Sequence, residues 1–155
     1  MILDSLILQT KLFLTEDMDI EISNVQINEV DSAELALLQH TSMIGVGGKI
    51  NLMAVISFDD AILTQLVHLF MDGEEVDPEE ADEVKESVTG EVINTILGLA
   101  LPTFPNRGKG VTITPPISIN DTSSVKKHKN SKILSATITT DHGTLSISAI
   151  GENIK

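Results

Sequence analysis

Glu91 and Asn94 stand three residues apart in Gly90-Glu91-Val92-Ile93-Asn94-Thr95-Ile96-Leu97-Gly98, a stretch otherwise made of apolar and small residues. On a helix, side chains three apart share a face with Cβ atoms about 5–6 Å from each other, so one carboxylate and one amide can act on the same target. Ser87 and Gly98 fall on the same narrow stripe, one turn to either side. Such a pair suits positioning chemistry: an amide both donates and accepts hydrogen bonds, and a carboxylate attracts a cation. The pair alone is a weak signal, since Glu21-Ile22-Ser23-Asn24 repeats it in an alternating, strand-like setting that sends residues three apart to opposite faces. An exposed helix face with an incidental hydrogen bond is the plain alternative.

Other chemistries find less support. There is no cysteine, which excludes disulfides, thiolate nucleophiles and cysteine-held metals and fits a reducing compartment. His40, His68, His128 and His142 form no ligand pair at helical spacing and read as structural or exposed. Gly-x-Ser-x-Gly is absent. Gly47-Gly48-Lys49 resembles the end of a phosphate loop, but position 43 is Met and position 50 is Ile where that loop needs Gly and Ser or Thr, so it reads as a hairpin turn. Nine carboxylates between Asp72 and Glu86 lack the offsets of a calcium loop and read as a helix start and its charged face.

The chain has 155 residues, 41% apolar and 21% charged, enough for one globular domain with a real core. That domain is expected to span residues 1–151, with 152–155 as a short tail. A net charge of -13 makes nucleic acid and anionic membrane poor partners. Residues 1–100 hold twenty acidic and three basic groups, whereas 101–155 hold three acidic and seven basic ones. The basic run Val125-Lys126-Lys127-His128-Lys129 reads as an exposed loop, with steering of a partner as the sharper alternative. The opening residues carry Asp4 and Gln9 inside an apolar run with no basic leader, so they suggest neither signal peptide nor spanning helix, and a cytoplasmic protein is expected.

The elements that must position the pair follow from periodicity. Ile2, Leu6, Leu8, Leu12 and Phe13 predict an N-terminal amphipathic helix, and alternation from Asp19 through Ile27 predicts a strand. Leu35–Val46 and Ile50–Phe58 predict two strands joined by a glycine turn. Asp59 or Asp60 can cap a helix that runs to Gly73. Asp77-Pro78-Glu79-Glu80 predicts the start of a second helix lasting to Leu101. On it, Val84, Val88, Val92, Thr95, Ile96 and Leu99 are expected to form one buried side, with Ile93 and Leu97 on another. A strand at Val111–Ile113 then runs into a Pro115-Pro116 turn, and Ile133–Thr140 with Leu145–Ala149 forms a C-terminal hairpin. The order predicts an α+β fold: a mostly antiparallel sheet packed against two long helices plus an N-terminal helix.

Ser87, Glu91 and Asn94, followed by Pro116 in Ile113-Thr114-Pro115-Pro116-Ile117-Ser118-Ile119, resemble the motif of the CheC, CheX and FliY family of chemotaxis phosphatases. The glycine hairpin, the strand ending in Ser57-Phe58-Asp59-Asp60-Ala61 and the paired helices extend the resemblance over essentially the whole chain, and one motif copy in a short chain is most like CheX. Twenty-one residues separate Asn94 from Pro116, one fewer than the family's usual spacing. The resemblance implies a CheC-like fold and hydrolysis of the aspartyl phosphate on a phosphorylated CheY-like receiver domain. It implies that Asn94 orients the attacking water, that Glu91 docks the receiver's lysine, and that Ser87 and Gly98 allow close approach of that partner. It implies no cofactor of the chain's own, Mg2+ on the receiver, and a homodimer, for which the hydroxyl-rich strand Leu145–Ile150 is the expected edge. The alternative is a non-catalytic module of the same fold that binds receivers or acts as a flagellar-switch-like component. A small-molecule hydrolase lacks a nucleophile or metal constellation.

Overall fold

All seven residues of the strand Leu52–Phe58 are buried, which requires cover on both faces and places this segment inside a sheet. The computed structural model describes residues 2–30, 37–119, 132–151 and 154. Its elements are α1 (Ile2–Leu12), β1 (Ile22–Val30), β2 (His40–Gly48), β3 (Leu52–Phe58), α2 (Asp60–Phe70), α3 (Ala81–Ala100), β4 (Val111–Ile113), β5 (Ile117–Ile119), β6 (Lys132–Thr140) and β7 (Thr144–Gly151). The seven strands form one sheet in the order β1-β6-β7-β3-β2-β4, with β5 also on β2, and every pairing is antiparallel.

The α+β expectation holds, with one more strand than anticipated. β4 pairs with Val46–Gly48 and β5 with Thr41–Met43, so the two make one edge strand interrupted at 114–116. Proline cannot donate to a ladder, which is why Pro115 and Pro116 sit in the break and why the second half reads only as a turn in sequence. The C-terminal hairpin forms, but β7 lies between β6 and β3, so Leu145–Ile150 is not an edge. Its hydroxyls serve the sheet itself: Ser148 Oγ and Ser135 Oγ are hydrogen-bonded at 2.8 Å, and Ser148 is buried. The basic run at 125–129 and the predicted strand's beginning at 35–36 lie outside the described residues.

Helices cover one face. Ile44, Val46, Ala54, Ile56, Phe58, Ala136, Ile138, Leu145, Ile147 and Ala149 meet Leu3, Leu6, Ile62, Leu66, Val92, Ile93, Ile96 and Leu97 in the main core. With few aromatic side chains available, aliphatic packing supplies nearly all of it, and the area removed from water drives the assembly at about 25 cal/mol per Å2. Met53, Val55, Ile119, Ile133 and Ile150 form a smaller cluster on the other face. Ile154, in the expected tail, is buried in the helix-side core. Gly48 takes a left-handed φ of 93° in the β2–β3 turn, and no helix follows it, so the phosphate-loop reading fails in structure as in spacing.

α3 starts later than expected. Glu80 N donates to Asp77 O at 2.9 Å in a separate turn, and the first helical bond runs from Val84 N to Glu80 O at 2.9 Å. Residues 77–80 are exposed, so no packing holds a helical turn there and local caps alone do not extend the helix. At α2 the choice between two aspartates is resolved. Asp59 Oδ1 accepts from Ile62 N at 2.9 Å as the cap, and its Oδ2 accepts from Thr144 N at 2.9 Å at the start of β7. One carboxylate thus joins a helix start to a central strand. Asp59→Ala is expected to cost about 1–2 kcal/mol, read as a lower urea midpoint at unchanged slope; an unchanged midpoint would show that neither bond matters.

Candidate functional site

α3 is buried through Val88, Thr89, Gly90, Val92, Ile93, Ile96, Leu97 and Ala100. Ser87, Glu91, Asn94 and Gly98 are all exposed and form one continuous stripe, as their spacing predicts. The buried side differs from expectation. Leu99 is 52% exposed, and Thr95 and Val84 are only half-buried, whereas Ile93 and Leu97 are fully enclosed. The burial centre is rotated by roughly a quarter turn at 100° per residue. The cause is tertiary: α3 lies across β2 and β3 and is flanked by α1 and α2, and these contacts, rather than the mean of the apolar positions, select the inward side. The rotation sends the stripe directly away from the sheet.

Among the described residues, neither Glu91 nor Asn94 forms a hydrogen bond or ion pair that would tie its tip to the protein. Both are free to engage something outside. A Cβ at Gly98 would meet nothing within 4 Å, so a partner surface can approach the helix backbone there. Pro116, the last element of the motif, lies against α3 at Gly90, so the shortened spacing does not keep it from the helix. The second Glu-x-x-Asn copy enters β1, with an irregularity in register between Ile22 and Asn24, and never lies on a helix.

The seating of α3 includes a polar clamp that the sequence did not reveal. Lys85 Nζ donates to Asp60 Oδ1 at 2.9 Å, and His40 Nε2 lies 2.8 Å from the same oxygen. The first turn of α2, the start of β2 and the N-terminal half of α3 therefore meet at one carboxylate. The hydrogen bond from Lys85, and after it that from His40, hold the Asp60 carboxyl below its ordinary pKa, against a smaller opposing effect of burial. The only hint in sequence was the doubled aspartate: one caps, and the other is left to pair. His40 thus bonds the Asp60 carboxylate, and among the described residues no three His, Asp or Glu side chains gather that could hold a metal. No helix among them is long and apolar enough to cross a membrane.

Comparison with known proteins follows this geometry. The family model described as chemotaxis phosphatase CheX matches residues 40–139. No curated protein matches the chain. Among solved structures, CheX from Desulfovibrio desulfuricans is similar over 97% of this chain and 99% of its own, with a TM-score of 0.75 at 17% identity. CheX from Vibrio vulnificus covers 97% and 99%, with a TM-score of 0.74 at 16% identity. The structure of the CheX-CheY-BeF3-Mg2+ complex from Borrelia burgdorferi covers 97% of each chain, with a TM-score of 0.74 at 19% identity. These likenesses establish the same fold, including the antiparallel sheet under α3.

The clamp gives a pH signature. Because the folded pKa of Asp60 is depressed, its contribution to stability is present above the ordinary carboxylate value of about 3.9 and is lost as pH falls through the folded value. Asp60 is 47% exposed, so solvent screening limits that contribution to about 1 kcal/mol or less. Denaturation of the parent and of Asp60→Asn should differ at pH 7 and converge once pH falls below the depressed folded value of Asp60. A gap that persists in acid would assign the stabilisation to something other than this ionised carboxylate.

Proposed function

Because the chain belongs to the chemotaxis phosphatase CheX family, we propose that it acts on the acyl phosphate carried by the aspartate of a CheY-like receiver domain, with Glu91 and Asn94 as the working residues. The single observation that carries this reading is the exposure of both tips on one stripe, opposite the buried side of a clamped helix. The CheX of Borrelia burgdorferi forms a complex with CheY, BeF3 and Mg2+, which supports the partner class and places the cation with that assembly. Mg2+ on the receiver supplies charge neutralisation at the phosphoryl oxygens. This chain's own residues supply geometry.

Hydrolysis needs a water in line with phosphorus. As α3 docks, Asn94 enters the receiver's pocket, where its amide oxygen accepts a hydrogen bond from that water and its amide N–H steadies a second group. The water oxygen bonds to phosphorus, the phosphorus bond to the aspartyl oxygen breaks with its electron pair returning to the carboxylate, and the water's proton passes to phosphate or solvent. Glu91 pairs with the receiver's lysine at a desolvated contact, which fixes register more than it moves protons. Ser87 and Gly98 leave room on either side, where a bulky side chain would hold the surfaces apart. The protein works as one domain whose core takes in Ile154, in the cytoplasm with its receiver.

The homodimer fits an open sheet edge, and that edge is β1 rather than β7. No described strand pairs with the outer side of β1, and Ile27 on it is 55% exposed. The opposite edge is broken by the two prolines.

Mixing a phosphorylated receiver with the protein should release phosphate rapidly. Asn94→Ala should slow release by about 100-fold while receiver binding persists, and Glu91→Ala should weaken binding or turnover without a change in thermal midpoint. Equal release by parent and Asn94→Ala would remove Asn94 from the mechanism and leave a binding module. Light scattering on the eluted protein should give near twice the 16.7 kDa chain mass, and Ile27→Glu should shift it to one chain; a parent that elutes as one chain refutes the dimer.

A further inference from the structure

Gly90 is the tenth residue of the twenty-residue helix α3, where glycine is less favourable than alanine by about 1 kcal/mol. No conformational need explains it. Its φ is not among the positive values, and it lies inside regular helix. What distinguishes the position is space. A Cβ built there would stand 3.3 Å from Pro116 Cβ, 3.7 Å from Pro116 Cγ and 3.9 Å from Ser42 Oγ. The contact with the proline is tighter than ordinary carbon packing, so one side would have to give by a few tenths of an ångström.

The proline is poorly placed to give. Its ring fixes its own backbone, and the chain is fastened to β2 on both sides of it. Before it, Thr114 N donates to Gly45 O at 2.9 Å, and Thr114 Oγ1 accepts from Gly45 N at 2.8 Å. After it, Ile117 pairs with Met43, and Ser42 Oγ donates to Ile117 O at 3.3 Å. Pro116 is thus a fixed stop on the sheet, and the helix is the movable part. Gly90 immediately precedes Glu91 and lies one turn below Asn94, on the flank where the buried side meets the exposed stripe. A shift at this point is carried along the rigid helix to both tips.

We infer that Gly90 is a positioning residue: its missing side chain lets α3 seat against Pro116 at the depth and rotation that aim Glu91 and Asn94 at the receiver. This rests on the role proposed for those two residues. Gly98 serves as the internal contrast, because the same residue type on the same helix has open space around it.

The experiment uses the full chain and a phosphorylated receiver, with kcat and KM measured for the parent, Gly90→Ala, Pro116→Gly, the double variant and Asn94→Ala. Gly90→Ala should keep its helical circular dichroism and a thermal midpoint near that of the parent, because the helix preference of alanine offsets the cost of the displaced seat. It should lower kcat by about tenfold with KM nearly unchanged, as expected when a docked group is misaligned by a fraction of an ångström. Removing the opposing carbons with Pro116→Gly in the Gly90→Ala background should recover most of the lost kcat, since the methyl then occupies the vacated space. Parent-like kcat in Gly90→Ala, a double variant no faster than Gly90→Ala, or loss of folding in Gly90→Ala would each overturn the inference. The control separates the two levels: a full rate in Asn94→Ala refutes the role of the pair, whereas a slow Asn94→Ala beside a fast Gly90→Ala refutes only the positioning.

Discussion

α3 is pressed onto the sheet from one side and left uncovered on the other, and this asymmetry underlies everything the protein can do. The buried side is aliphatic, with Val92, Ile93, Ile96 and Leu97 against β2 and β3. Hydrophobic burial is strong but has little directional preference, so by itself it would hold the helix without setting its rotation. Direction comes from contacts with defined geometry. The carboxylate of Asp60 catches Lys85 near the helix start, and the stop at Pro116 meets Gly90 halfway along.

Under the proposed function the receiver brings the reactive phosphate, the cation and the lysine, which leaves this chain little covalent chemistry to perform. Its contribution is the entropy of orientation, prepaid in folding and spent when the surfaces meet. On that reading two polar tips on a rigid support suffice. It also explains why, among the described residues, nothing in the fold binds their side chains. A carboxylate or amide already satisfied within its own fold would have to break those bonds before docking.

The two edges of the sheet are managed differently. Beside β2, the strand that would close the edge is interrupted by Pro115 and Pro116, which blocks the addition of another strand while keeping this side available to seat α3. At the far end β1 runs nine residues without such a block. The two surfaces belong to opposite ends of the sheet, so self-association through β1 would leave the α3 stripe free for a receiver.

Much was legible in the residues alone, and the reason is that local chemistry acts over short distances. Strict alternation announced β1, the glycine turn announced the β2–β3 hairpin, and helical spacing placed Ser87, Glu91, Asn94 and Gly98 on one stripe whatever the rest of the chain did. A cap such as Asp59 also declares itself, because its partner is three residues away. What could not be read was anything set by residues distant in sequence. Only the folded sheet determined that Leu99 faces outward while Ile93 and Leu97 face in, that β7 is interior, and that β5 exists as a strand. The Asp60 clamp joins side chains twenty and twenty-five positions apart, and the seat of Gly90 is made by a proline across the sheet. The sequence by itself determined which side chains share a helix face, since backbone geometry is local; tertiary packing decided which way that face points, since rotation is chosen by whatever the helix is pressed against.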